Sequence, residues 1–146
     1  MFLLSNSKAS ETWANTKETM ATYSFENVIA WQKAHSFVLL VYRVTRHFPE
    51  DEKFGLTSQF RRAAVSIEAN IAEGYKQLSR ADKLRFFNIA QGSLEECRDY
   101  HVLSRDLGYL SQADFEQLHF EIEETSKLLN AYCRSVLNNV VINNFQ

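Results

Sequence analysis

Proline is almost missing from this chain: Pro49 is the one example in 146 residues, and glycine occurs only four times. Neither Asn-Gly nor Asp-Gly occurs, and no stretch alternates apolar and polar residues for long. Tight hairpins and half-buried strands therefore have no support. Cysteine is limited to Cys97 and Cys133, far apart in the sequence. That excludes a disulfide framework and the ligand spacing of a zinc site, and both read as reduced, buried thiols. Long hydrophobic runs are lacking too. The longest, Phe37 to Tyr42, falls far short of the ~20 residues of a membrane span. The opening MFLLSNSK has no positive region and does not read as a signal peptide. A cytoplasmic chain with no membrane contact is expected. Charge of one sign is not in excess either: the net charge is −2. Global charge thus argues for neither nucleic acid nor membrane as a partner.

What remains is rich in Ala, Leu, Glu, Gln, Lys and Arg, all good helix formers. The expected class is all-α, a single domain large enough for a real core. Its central stretch is Phe54 to Tyr75, FGLTSQFRRAAVSIEANIAEGY. On a helix, Leu56, Phe60, Ala64, Ile67, Ile71 and Tyr75 form one stripe. Ala63, Ser66, Asn70 and Gly74 form a second, small stripe that lets another helix approach closely. Asn70 in that row requires a hydrogen-bond partner if buried.

Residues 1–24 are polar and without period, and read as a mobile leader. A first helix runs from about Phe25 to His47. Trp31, His35, Val38, Tyr42 and Thr45 make one stripe on it, and Ala34, Phe37, Val41, Val44 and Phe48 make another. This apolar arc is wider than one core face needs, so Trp31, His35, Phe37, Val41 and Val44 are the candidate oligomer interface. His35 reads as a hydrogen-bonded core or interface histidine. Pro49 and the following acidic run close the helix. The second helix ends near Gly74, taken as a left-handed cap. Ser79 with Asp82, and Ser111 with Asp114, mark the starts of the third and fourth helices. Gly92, with Ala90 and Ser93, is placed at a close crossing with helix two. Phe115, Leu118, Ile122, Thr125, Leu129, Tyr132 and Val136 form the seam of helix four. The bundle spans 25–138 and the tail 139–146 frays. Four long helices with short loops imply an antiparallel up-down bundle.

Charge is unevenly placed. From Lys53 to Arg85 there are seven basic residues against three acids, while from Phe86 to Asn130 there are three against nine. Arg61, Arg62, Lys76, Arg80, Lys83 and Arg85 are the candidate nucleic-acid-binding residues. A solvated helix surface explains such runs equally well. No glycine-rich phosphate loop, HExxH or GxSxG is present. The single Glu-x-x-His, Glu116 to His119, lacks the second pair that a diiron bundle needs, so no metal and no cofactor is expected. Glu68, Glu73, Glu95 and Glu96 would serve as acid–base groups only around a cleft, and Glu73 reads more simply as a surface carboxylate. No enzyme is expected.

The phrases YSFENVIAWQKAH, EKFGLTSQFRRAAVSIEANIAEGY and DKLRFFNIAQGSLEECRDY with LGYL resemble a bacterial four-helix-bundle family. Its members are encoded within intervening sequences of 23S ribosomal RNA genes or stand alone, under a ribosomal-protein name. A related branch holds the accessory proteins of diversity-generating retroelements. The resemblance covers about Tyr23 to Leu129. It implies an up-down bundle assembled into a ring-like homopentamer. It also implies RNA, or a reverse-transcriptase-like nucleoprotein, as a partner. The family often carries consecutive arginines after the Ala-Glu-Gly-aromatic phrase, where this chain has Gln77 and Leu78. The resulting expectation is a non-enzymatic scaffold that binds RNA through the basic junction. A protein–protein adaptor with no nucleic-acid contact is the alternative.

Overall fold

The computed structural model describes residues 24–143, with side chains described through Asn138. Among these residues there are four α-helices and two single 3-10 turns, and no strand. The first turn, Phe25–Asn27, is capped by Ser24, whose hydroxyl accepts from the Glu26 amide. Helix α1 follows at Ile29–Thr45. Pro49 precedes the second 3-10 turn, Glu50–Glu52. Helix α2 is Leu56–Lys76, α3 is Arg80–Asp106 and α4 is Gln112–Asn143.

The boundaries have local causes. Glu52 reaches forward to accept from the Leu56 amide at 2.7 Å, satisfying one of the free donors at the start of α2. Ser79 Oγ accepts from the Asp82 amide at 3.1 Å, and Ser111 Oγ does the same for Asp114 at 3.1 Å. Both predicted serine caps are thus formed. At the end of α3, Gly108 has φ 77, the left-handed conformation that turns the chain toward α4.

Each helix packs against two others, α1 with α2 and α4, and α3 with α2 and α4, leaving α1 and α3 diagonal. The core runs through all four and includes Phe37, Phe60, Phe87, Leu94, Leu118 and Leu129, all fully buried. Across α1 and α2, Thr45 meets Arg61 at 2.8 Å while His35 meets Glu68 at 2.7 Å. Thus the end of α1 lies by the start of α2, and the start of α1 by the later half of α2. The tightest joint is α2 with α3. Ser66 and Ser93 hydroxyls are 2.8 Å apart, and the Asn70 amide donates to Ser66 O at 2.8 Å and Ser66 Oγ at 3.1 Å. The half-buried Asn70 therefore has the partner that its position demands.

Several expectations are corrected here. Gly74 is no left-handed cap: α2 continues to Lys76, and Gly108 is the one glycine of positive φ. Gly74 is needed for space instead, since a Cβ there would lie 2.4 Å from Phe87 Cε1. Gly92 is not at the α2–α3 crossing. It is exposed, and a Cβ there would meet nothing within 4 Å; Ser93 makes the crossing contact. Phe37, Val41 and Val44 are no interface residues, because all three are buried inside this chain's own core. The second apolar stripe of α1 was needed to meet both α2 and α4. Cys97 is buried, but Cys133 only half so. Helix α4 passes the expected boundary at 138 and ends at Asn143, and the rest of the tail lies outside the described residues. So does the predicted leader, apart from the capping Ser24.

Candidate functional site

Local packing divides the six basic residues singled out from the sequence. Arg61 is half-buried. Its Nε donates to Thr45 Oγ1 at 2.8 Å and its guanidinium lies 4.7 Å from the Tyr42 ring centroid. Thr45 in turn donates to Val41 O at 2.7 Å, so Arg61 is a fixture between α1 and α2. Arg62 is exposed and forms an ion pair with Glu96 at 3.2 Å. Both also stand about 20 Å along α2 from Lys76, at 1.5 Å per residue. They do not share its patch.

Lys83 is a fixture of a different kind. Its Nζ donates to Tyr75 O at 2.6 Å and Gly74 O at 3.3 Å. It satisfies carbonyls at the end of α2 and meets the negative pole of that helix. Desolvation by burial pushes the pKa of its ammonium down from the ordinary lysine value.

Lys76, Arg80 and Arg85 remain, all exposed, around the turn that joins α2 to α3. None has an acidic partner among the described residues. Arg80 donates to the Leu137 carbonyl at 3.4 Å, and Arg85 lies over the Phe86 ring at 4.8 Å. Leu78, at the tip of the turn, is fully exposed. The reduced site is thus a three-cation tip with an apolar point. The sequence could not separate these cations from the structural ones, because charge runs carry no record of which carbonyl lies within reach.

The carboxylates do not converge. Glu68 takes the His35 ring, Glu95 takes Arg98 at 2.9 Å, and Glu96 takes Arg62. Glu73 is exposed. Arg98 also binds Glu123, and the hydrogen bond from Arg98 holds that carboxyl below its usual range. Glu116 accepts from Gln112 at 2.9 Å, and His119 is exposed. Among the described residues no group of three His, Cys, Asp or Glu side chains could hold a metal ion.

Of the proposed interface, Trp31 and His35 stay half-exposed. They stack on each other at 4.8 Å, with Phe25 edge-on to Trp31 at 5.0 Å. The exposed apolar residues of α1 are Ile29, Leu39 and Tyr42, and Phe120 of α4 is exposed nearby in the fold, under Lys33 at 5.3 Å. Tyr42 belongs to the stripe read from the sequence, whereas Ile29, Leu39 and Phe120 were missed because each stands among polar residues on its helix face.

Two further features stand apart from the cationic turn. One is a groove of about 490 Å³ between the start of α1 and the later parts of α2 and α4, lined by residues that include Val28, Ala30, Tyr75, Leu128 and Tyr132. The other is His101, buried on α3. It stacks on Phe115 at 4.1 Å, and its Nε2–H donates to Phe115 O at 2.9 Å. Burial, opposed by that hydrogen bond and reinforced by His119, Arg105 and Arg98, lowers its pKa from the ordinary histidine value.

Four helices, each packed on two others around one core, with an exposed cationic turn between α2 and α3, define a class: a small all-helical protein. The chain belongs to the 23S rRNA-intervening sequence protein family, whose model matches residues 26–131. Among solved structures it is similar to the crystal structure of a protein of unknown function from the S23 ribosomal protein family of Bacteroides thetaiotaomicron. The identity is 25%, the TM-score 0.67, and the match covers 72% of this chain and 98% of that one. None of the curated proteins compared with the sequence matches it. No helix among the described residues is long and apolar enough to cross a membrane.

Proposed function

We propose that this chain is a non-enzymatic scaffold, an antiparallel up-down four-helix bundle that binds RNA or an RNA–protein particle through Lys76, Arg80 and Arg85. One observation carries the reading. These three cations crowd one interhelical turn, exposed, with no carboxylate among the described residues to neutralise them. Phosphates are the natural counter-charge for such a tip, because counterion release favours them without base-specific contacts. The family's link to 23S rRNA intervening sequences points the same way. A cytoplasmic location accords with such a partner.

Three cations per chain make a weak site. Homo-oligomerisation, to a pentameric ring in the form that the family resemblance implies, would repeat the tip and raise its avidity. The outward residues of α1, Ile29 and Leu39, replace Phe37, Val41 and Val44 as the side chains such a ring would bury.

The test is a titration of single-stranded RNA at several salt concentrations. If each cation neutralises one phosphate, the slope of log K against log salt is about −2 per engaged chain. Replacing Lys76, Arg80 or Arg85 by Ala should shrink that slope by about 0.7 each. Arg62→Ala, whose partner is Glu96, should leave it unchanged. No binding at low salt would reject the RNA reading and favour a protein adaptor.

A further inference from the structure

The outer row of α3 carries a feature that the bundle does not explain. Gly92 stands near the middle of this 27-residue helix, exposed, with no neighbour within 4 Å of an added Cβ. Glycine weakens a helix interior relative to alanine. It caps nothing here, turns nothing, and admits no side chain of its own bundle. Gly74, by contrast, admits Phe87.

The row around Gly92 has an ordered charge pattern. At spacings of three and four, Arg85, Asn88, Gly92, Glu96, Asp99 and Leu103 follow one another along α3, and all are exposed. Arg85 stands seven residues before the glycine and Asp99 seven after. Neither has an ion-pair partner among the described residues. Helix α3 is diagonal to α1, so this row faces away from the α1 surface assigned above to a ring.

We propose that a second copy of this chain docks on this row, α3 against α3 in opposite directions, about a two-fold axis at Gly92. Residues equally distant from the glycine then face each other. Arg85 meets the partner subunit's Asp99, and the symmetry makes the same pair twice. Asn88 meets the partner subunit's Glu96, which can accept from its amide. Gly92 against the partner's Gly92 removes the side chains that would hold the two backbones apart. The direction is fixed by charge. Docking in the same direction would set arginine on arginine and aspartate on aspartate, which is repulsive. The contact stands apart from the RNA reading, and where two copies are paired Arg85 is taken by the partner subunit's Asp99, so that Lys76 and Arg80 are the cations left free at the turn.

The test is charge exchange. Arg85→Glu and Asp99→Arg should each weaken self-association about tenfold or more, read by sedimentation velocity. Mixing the two single variants should recover it, since every facing pair is again of opposite sign. The double variant should recover it alone. Gly92→Cys, in a Cys133→Ser background, should give on mild oxidation a reducible species of twice the 17.0 kDa chain mass. Gly92 is exposed, so these variants are expected to fold, and circular dichroism checks that they do. Unchanged association of Arg85→Glu, loss not recovered on mixing, or no Gly92-linked pair would each overturn the proposal.

Discussion

Two glycines of similar sequence setting have opposite meanings in this protein. Gly74 holds a place that a methyl group cannot share with Phe87 Cε1, 2.4 Å away. Phe87 is fully buried and cannot easily move. Gly74→Ala should therefore destabilise the fold by about 1–3 kcal/mol, as overpacking of a filled core does. Gly92→Ala meets open space and should stabilise the isolated chain by up to about 1 kcal/mol through helix propensity. Urea unfolding of both variants at a chain concentration too low for pairing measures the two signs. The sequence permitted the close approach of α2 and α3 to be read from Ala63, Ser66, Asn70 and Gly74. It assigned the wrong glycine to the other side, because a small residue looks the same whether it admits a neighbour or faces water.

At the scale of the elements, the helices themselves were legible and their surroundings were not. Ser79 and Ser111 begin α3 and α4 as their spacing to Asp82 and Asp114 predicts. Helix capping is local chemistry, so the sequence records it. The functional faces depend on what lies across the bundle. Lys83 lies in the same basic run as the binding cations, yet its ammonium donates at 2.6 Å to the Tyr75 carbonyl at the end of α2. The α3–α4 joint yields a prediction of its own. His101 is buried on Phe115, and burial lowers its pKa. The unfolded chain, near pKa 6.5, thus takes up a proton before the folded one does. Stability contributed by the neutral ring is complete above about pH 6.5 and falls as the pH drops toward the lower folded value. His119, Arg105 and Arg98 face the ring and oppose its charging. Denaturant unfolding at about pH 7.5 and pH 5.5 should show a loss on acidification. His101→Phe, which keeps a ring on Phe115 but cannot titrate, should flatten that part of the dependence.

For the whole molecule, the helix order around the core carries a kinetic consequence. Each helix touches its neighbours in the chain, and the α1–α4 joint alone spans the full sequence separation. Three of the four joints thus need only short loops to close, at little entropic cost, whereas the fourth must bring distant segments together. Assembly by successive hairpins follows, with α2 and α3 first because their joint is the most extensive. In native-state hydrogen exchange, amides of α2 and α3 facing Phe60, Phe87 and Leu94 should open only with global unfolding. Those in α1 should exchange through a cheaper, partial opening. Equal protection in all four helices would contradict this order. The cationic turn sits at the apex of the α2–α3 hairpin, so it belongs to the unit expected to assemble first and come apart last. If α1 swings away from its neighbours, Lys76, Arg80 and Arg85 keep their mutual positions.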